Sequence, residues 1–290
     1  MRLQFSHLTR FTYSKPVTSS HKLLRLTPRA YDRQRVHASG IETVPAPAGT
    51  RVRRDAHGNT LTEVFVEEEH RELSVHALAE VDVAPAHTTD SDRSPAWDEL
   101  AVRLQAPWNE DAWEAIPFCF PSPRVALDGA RDFAAPVFEP GAPLLHTAAA
   151  LATRICSELE YQGGVTDVHT PVADVLKAGR GVCQDFTHLA IACLRAYGLP
   201  ARYVSGYLLT DRDGAGTGLT GGDASHAWFS VWCSEFGWVD FDPTNDLMPS
   251  DEHITLAWGR DYGDVSPTTG FLRGGGEQVL EVDVRVMQAT

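Results

Sequence analysis

The sequence predicts an α+β protein: an N-terminal antiparallel β-sandwich domain, then a core in which a cysteine-bearing helix packs on an antiparallel sheet. Three observations predict it. Residues 1–85 run as short polar–apolar alternations broken by turn residues, the pattern of half-buried strands. After Cys183 the apolar side chains fall at Phe186, Leu189, Ala190, Cys193, Leu194 and Tyr197, which is one face of a helix. Residues 226–232 and 238–242 are rich in aromatic and β-branched residues around a Ser-Glu-Phe-Gly connection, as in a hairpin.

In the first domain, 1–85, Leu3, Phe5, Phe11 and Tyr13 alternate with polar residues, and 21–27 and 35–44 are further strands bounded by Pro16, Pro28 and Pro45. Asp55 to Thr60 reads as a hairpin turn with Gly58-Asn59 in the left-handed positions, and 60–67 and 72–83 alternate again. This domain shows no catalytic constellation. Substrate selection or oligomerisation is one reading of it, a purely structural prefix the other.

Residues 86–142 read as a linker and short helices at the domain junction. The polar run 86–94 opens it, and 97–104 and 110–116 are the helices. Pro117, Pro121 and Pro123 exclude a regular helix or central strand from 118–124. Trp108, Trp113, Phe118 and Phe120 are expected to anchor the junction.

The third segment is 143–290, expected to be the catalytic domain on the residues set out below. Leu144, Leu145, Ala148, Leu151, Ala152, Ile155 and Leu159 make one stripe of a helix over 143–160. A short helix follows Pro171, and 202–209 is a strand. The Cys183 helix ends at Gly198, with Pro200 beyond it. The final run, 278–287, alternates as a strand with one wet face and is expected to close the catalytic sheet.

Composition narrows the function. Lys and Arg number 25 against 39 Asp and Glu, a formal net charge of −14, which argues against nucleic acid as a partner. No apolar stretch approaches the roughly 18–20 residues of a membrane helix, so no membrane partner is expected. Five cysteines without paired spacing suit a reducing compartment, so a cytoplasmic location is expected. Cys119, Cys156, Cys193 and Cys233 are read as packing residues.

Cys183 sits at the start of its helix, where unpaired N–H groups and the helix dipole favour a thiolate. His226 opens the first hairpin strand and Asp242 ends the second. Pairing arithmetic constrains them. The two share a face only if paired residue numbers sum to an even value, for instance Trp232 opposite Trp238, and this predicts a five-residue connection or a bulge. Asp242 then lies opposite Trp228 and diagonal to His226. A buried cysteine, a strand histidine or an Asp-Pro-Thr turn is ordinary alone. In the order Cys, His, Asp around a helix start and a hairpin, they make a nucleophile, a base and an orienting group.

The same residues carry a family resemblance. G-V-C at 181–183, S-H-A-W at 225–228 and G-W…D-P-T at 237–244 resemble the transglutaminase-like superfamily, and more closely its bacterial members with an N-terminal β domain. Cys-Gln-Asp-Phe-Thr-His-Leu, Gly-Leu-Pro-Ala-Arg-Tyr-Val-Ser-Gly-Tyr and Trp-Gly-Arg-Asp-Tyr-Gly-Asp-Val agree with that group, and the resemblance is strongest over 145–270. It implies a papain/transglutaminase-like core with Cys183 as nucleophile, His226 as base and Asp242 as orienter.

The expected reaction is hydrolysis of a peptide or amide bond through a thioester. Protein-glutamine amine transfer is the alternative enzyme reading, and a non-catalytic binding module keeping the fold is the other. The backbone N–H of Cys183 is one expected oxyanion donor, with Tyr161 or Gln162 as the second. Gln184, Asp185 and Trp228 are further candidates for oxyanion or substrate binding, although hydrogen bonding behind the site is the favoured reading for Asp185 and His188. No cofactor is expected. The Gly-rich loop 211–223 lacks the Gly-Lys-Ser/Thr of a phosphate loop, and Gly222 stands where an EF-hand needs a bidentate Glu, so it is read as a mobile rim over the site. Convergence of His169, His188 and His226 on a metal is the weaker alternative, because neither HExxH nor Cys-x-x-Cys occurs.

Overall fold

The computed structural model describes residues 1–86, 91–210, 218–221 and 225–289. Its N-terminal part is built on β1 (Arg2–Leu24), a single strand rather than two parted at Pro16. Proline is tolerated there because the pairing slips between Thr12 and Val17, so its nitrogen owes no ladder hydrogen bond. Lys22 Nζ lies 4.0 Å from the centroid of the Phe11 ring. A straight strand would part those residues by about 36 Å, so β1 folds back and its halves face one another. Leu3, Phe5, Phe11, Val17 and Leu24 are buried in the core between them.

One layer orders β2 (Gln34–Val44), β5 (His70–Val83) and the first half of β1. The other orders β3 (Gly49–Arg54), β4 (Thr60–Val66) and the second half. The far edge of β1 takes β12 (Thr268–Gly274) and β13 (Gln278–Gln288). This corrects the expectation for the C-terminal strand. It pairs with β1 from Leu3–Gln288 to Tyr13–Gln278 and not with the catalytic sheet. Alternation identifies a strand but not the edge it joins, and only Val284 and Val286 of β13 are buried.

In the core, β8 (Ala201–Leu208), β9 (His226–Cys233), β10 (Gly237–Phe241) and β11 (His253–Gly259) form an antiparallel sheet in the order β10-β9-β8-β11. The short helices α1 (Trp97–Arg103), α2 (Glu110–Ala115) and α3 (Ala130–Ala134) precede α4 (Leu144–Glu158). Strand β6 (Glu160–Tyr161), α5 (Val172–Ala178) and β7 (Arg180–Gly181) lead into α6 (Cys183–Ala196), and α7 (Tyr262–Val265) follows β11. Helix α6 is buried on all sides, beyond the single stripe its apolar residues define, because β8 and β9 cover one side while α3, α4 and α5 cover the rest. Gly198, at φ 75°, takes the left-handed position after it.

Of the expected junction anchors, Phe118 alone bridges, its ring 5.8 Å from His57 and 5.1 Å from Trp238. Trp108, Trp113 and Phe120 are exposed, since the core beneath them is filled by Leu100, Leu104, Ala112 and Ala115. The two parts meet at β8 and β11. Tyr207, Leu209, Ile254 and Leu256 enter the N-terminal core, and the Tyr207 hydroxyl bonds His7 Nδ1 at 2.6 Å. The outer edge of β11 is held by side-chain amides. Gln34 bonds both backbone groups of Thr255, and Asn59 both those of Trp258. These bonds occupy an edge that would otherwise be open to another strand.

Candidate active site

The loop before Cys183 is tied down first. Asp185 Oδ2 accepts the Val182 N–H at 2.8 Å and the Thr166 hydroxyl at 2.7 Å. A Cβ on Gly181 would fall 2.6 Å from that oxygen, which is why glycine stands there. Asp185 therefore ties down the loop before Cys183, and burial pushes its pKa up. The backbone N–H groups of Cys183 and Gln184 find no acceptor among the described residues, as the first turn of a helix dictates. Cys183 itself is buried, with 8% of its surface exposed.

The hairpin has the predicted register, with Trp238 opposite Trp232. The connection is tighter than predicted. Pairing continues to Gly237 opposite Cys233, leaving three residues to turn, and Gly237 at φ 68° supplies the left-handed position such a turn uses. With Phe241 opposite Phe229, Asp242 comes level with Trp228 and diagonal to His226. His226 Nε2 donates to Asp242 Oδ2 at 2.8 Å, both side chains being fully buried. A carboxylate has no proton to give, so the hydrogen is on Nε2 and Nδ1 is the nitrogen left for Cys183. Burial would lower the pKa of His226, but the bond to Asp242 and the bond and charge of Cys183 outweigh it and raise it to about 10. Burial likewise opposes ionisation of Asp242, yet His226 and His253 hold it far below the ordinary carboxylate range.

Asp242 collects further donors. Oδ1 accepts the N–H groups of Thr244 and Asn245 at 2.9 and 3.2 Å. Oδ2 accepts Asn245 Nδ2 at 2.8 Å and His253 Nε2 at 3.4 Å. Sequence reasoning missed both side chains. Asn245 had a local signal, because an Asp followed by Pro-Thr-Asn folds into an Asx turn. His253, arriving on another strand, had none.

The remaining candidates divide. Tyr161 pairs with Gly181 through the backbone, and its ring stands edge-on to Phe186 at 6.2 Å. The Gln162 amide oxygen is taken by Arg180, while its N–H bonds the Gly181 carbonyl. Both therefore border the nucleophile loop. Gln184 is half-buried beside Cys183. Trp228 is fully buried against Gly206 and the His253 ring, so it supports the site from beneath and has no surface for substrate. His188 accepts the Tyr262 N–H at 3.1 Å, and burial lowers its pKa to about 3. His169 lies with Arg124, apart from His226, so the three histidines go to separate partners. Among the described residues no three His, Cys, Asp or Glu side chains are placed to hold a metal ion. Most of loop 211–223 lies outside the described residues. Its described part binds the site, with Thr220 and Asn245 exchanging hydrogen bonds at 2.8 and 3.2 Å.

Comparison with known proteins agrees with this architecture. Residues 131–243 match the transglutaminase-like superfamily, and residues 3–82 match the bacterial transglutaminase-like N-terminal region. An uncharacterized protein of Mycobacterium tuberculosis is 40% identical over 298 residues, covering 99% of this chain and 92% of its own. One from Mycobacterium leprae is 36% identical over 285 residues, covering 98% of each chain. A protein-glutamine gamma-glutamyltransferase of Pseudomonas aeruginosa is 37% identical over 70 residues, 24% of this chain and 10% of its own. Among solved structures, a proposed cysteine protease of Cytophaga hutchinsonii superposes with a TM-score of 0.76 at 21% identity, covering 100% of this chain and 91% of that one, which establishes the shared fold. The chain belongs to the transglutaminase-like superfamily, with the bacterial transglutaminase-like N-terminal region in front of its core.

Proposed function

We propose that this protein is a cysteine-dependent acyl-transfer enzyme, acting by hydrolysis of a peptide or amide bond through Cys183, His226 and Asp242. The observation that carries the reading is the pairing of His226. One ring nitrogen is fixed by a buried carboxylate, the other is left on the side of a cysteine at a helix start, and both neighbours favour the protonated imidazole. In this reading the Cys183 sulfur attacks the carbonyl carbon and the carbonyl electron pair moves to oxygen. The N–H groups of Cys183 and Gln184, left without acceptors at the helix start, are the donors this reading assigns to that oxyanion. His226 Nδ1 then gives its proton to the departing amine, leaving a thioester. Water, deprotonated by the same nitrogen, releases the acid and restores the thiolate–imidazolium pair.

The test needs no substrate. Alkylation of Cys183 by iodoacetamide at pH 6 is expected to be fast in the wild type and about tenfold or more slower in His226→Ala. Equal, slow rates would overturn the enzyme reading in favour of a binding module. A glutamine-containing peptide offered with a primary amine then separates the two reactions. Release of the acid alone supports hydrolysis, and an amine adduct replaces it with amine transfer.

A further inference from the structure

We infer that His253 is a fourth, positioning residue of this site, holding the Asp242 carboxylate for His226. The inference rests on the acyl-transfer reading above. Two histidines converge on one oxygen: His226 Nε2 at 2.8 Å and His253 Nε2 at 3.4 Å, both meeting Asp242 Oδ2. Because the carboxylate can only accept, each ring carries its hydrogen on Nε2. Both Nδ1 atoms are buried without a hydrogen bond of ordinary geometry among the described residues, but Cys183 stands near enough to His226 to raise its pKa. For His253, Asp242 is the one side-chain hydrogen-bond partner among the described residues, while its ring stands 6.3 Å from that of His226, so the carboxylate is the group through which it acts.

Its own placement is fixed from three sides. The Trp228 indole stands edge-on to it at 5.3 Å, with the planes at 89°. It opens β11, paired to Leu208 of β8. Two residues on, Thr255 is held through both backbone groups by Gln34, and Trp258 by Asn59, both from the N-terminal part. Leu256 and Ile254 of the same strand enter the N-terminal core. The β domain therefore steadies the strand that presents His253, giving that domain a part in the chemistry without reaching the cleft. A buried imidazole with one nitrogen unpartnered is a costly way to fill space. Its bond to a charged oxygen is the compensating interaction.

The test compares two amide replacements. His253→Gln puts an N–H near the position of Nε2, and His253→Asn puts it near the position of Nδ1, out of reach of Asp242. Both are polar and of lesser volume, and folding is checked by circular dichroism and the unfolding midpoint. Iodoacetamide alkylation of Cys183 is read from pH 5 to pH 10 in the full chain, beside the wild type and His226→Ala. The inference expects His253→Gln to keep the wild-type rate and pH profile within about twofold, and His253→Asn to lose about tenfold at pH 6, as for a lost bond to a charged group. Equal rates in the two folded variants, or changes confined to the unfolding midpoint, would overturn it. If His226→Ala slows alkylation while His253→Asn does not, the positioning role fails and acyl transfer stands. If His226→Ala itself has no effect, the parent reading fails, and the inference falls with it.

Discussion

Replacing Asp242 by Asn tests whether the carboxylate is the hub of the site. Five N–H donors surround its two oxygens: the side chains of His226, His253 and Asn245, and the backbone of Thr244 and Asn245. A carboxamide keeps one acceptor oxygen. Turned toward the three side chains, its NH2 opposes two backbone donors; turned the other way, it opposes three side-chain donors. At least two buried donors are orphaned either way, at about 1–3 kcal/mol each. The expected destabilisation is therefore about 2–6 kcal/mol. The raised pKa of His226 is the same contact seen from its other end and is counted once. The sign of the pH dependence follows. Asp242 is depressed below its ordinary 3.8, so its contribution is present above that value and fades as pH falls. His226 is raised from 6.5 to about 10, so its contribution is full below 6.5 and is lost as pH rises toward 10. The stability gap between wild type and Asp242→Asn, measured by urea unfolding, should be widest between about pH 4 and 6.5 and shrink on both sides. A gap below about 1 kcal/mol at pH 5.5, or one that grows toward pH 9.5, would refute the reasoning.

Three further outcomes are expected. Gly221→Ala would place a Cβ 2.8 Å from His226 Nδ1 at a φ of +92°, so alkylation of Cys183 should slow about tenfold while unfolding free energy drops by about 1 kcal/mol or more; an unchanged alkylation rate would remove Gly221 from the site. Gly206→Ala would bring a Cβ to 2.0 Å from the Ile254 carbonyl and 2.5 Å from the Trp228 ring, and should cost about 3 kcal/mol or more in urea unfolding. His188 is held unprotonated by burial, with its pKa lowered to about 3, so below pH 6.5 the unfolded chain takes up a proton that the folded one refuses. Stability should fall between pH 6.5 and 3, and His188→Gln should flatten that decline.

Much of what local chemistry encodes was legible in the sequence, although the Asx-turn signal of Asn245 went unread, and what depended on distant partners was not legible. The start of α6 at Cys183 and its end before Gly198 follow from apolar spacing and from one glycine. The hairpin register follows from parity alone, because a one-residue slip would have sent Asp242 to the opposite face from His226. The partner of β13 did not follow, since its alternation would suit any open edge, and the edge left open was set by β1 at the other end of the chain. The continuity of β1 through Pro16 was hidden for a related reason: proline breaks a ladder only where a ladder bond is due, and the slip between Thr12 and Val17 removes the need.

The same division explains the site. Cys183, His226 and Asp242 stand at element ends, where spacing and parity fix the direction of a side chain. The residues that hold them include some from distant parts of the chain. Thr166 reaches Asp185 from 19 positions away, and His253 reaches Asp242 from the strand beyond the hairpin. That strand is in turn held by Gln34 and Asn59, more than 190 residues earlier. A side chain's direction is a local property, whereas the rigidity of its oxygen is a property of everything that donates to it. For Asp242 those donors come from the Asx turn, the first hairpin strand and an edge strand steadied by the N-terminal part. The N-terminal β layers are thus coupled to the candidate site through hydrogen bonds to one strand, a link that no window of the sequence displays.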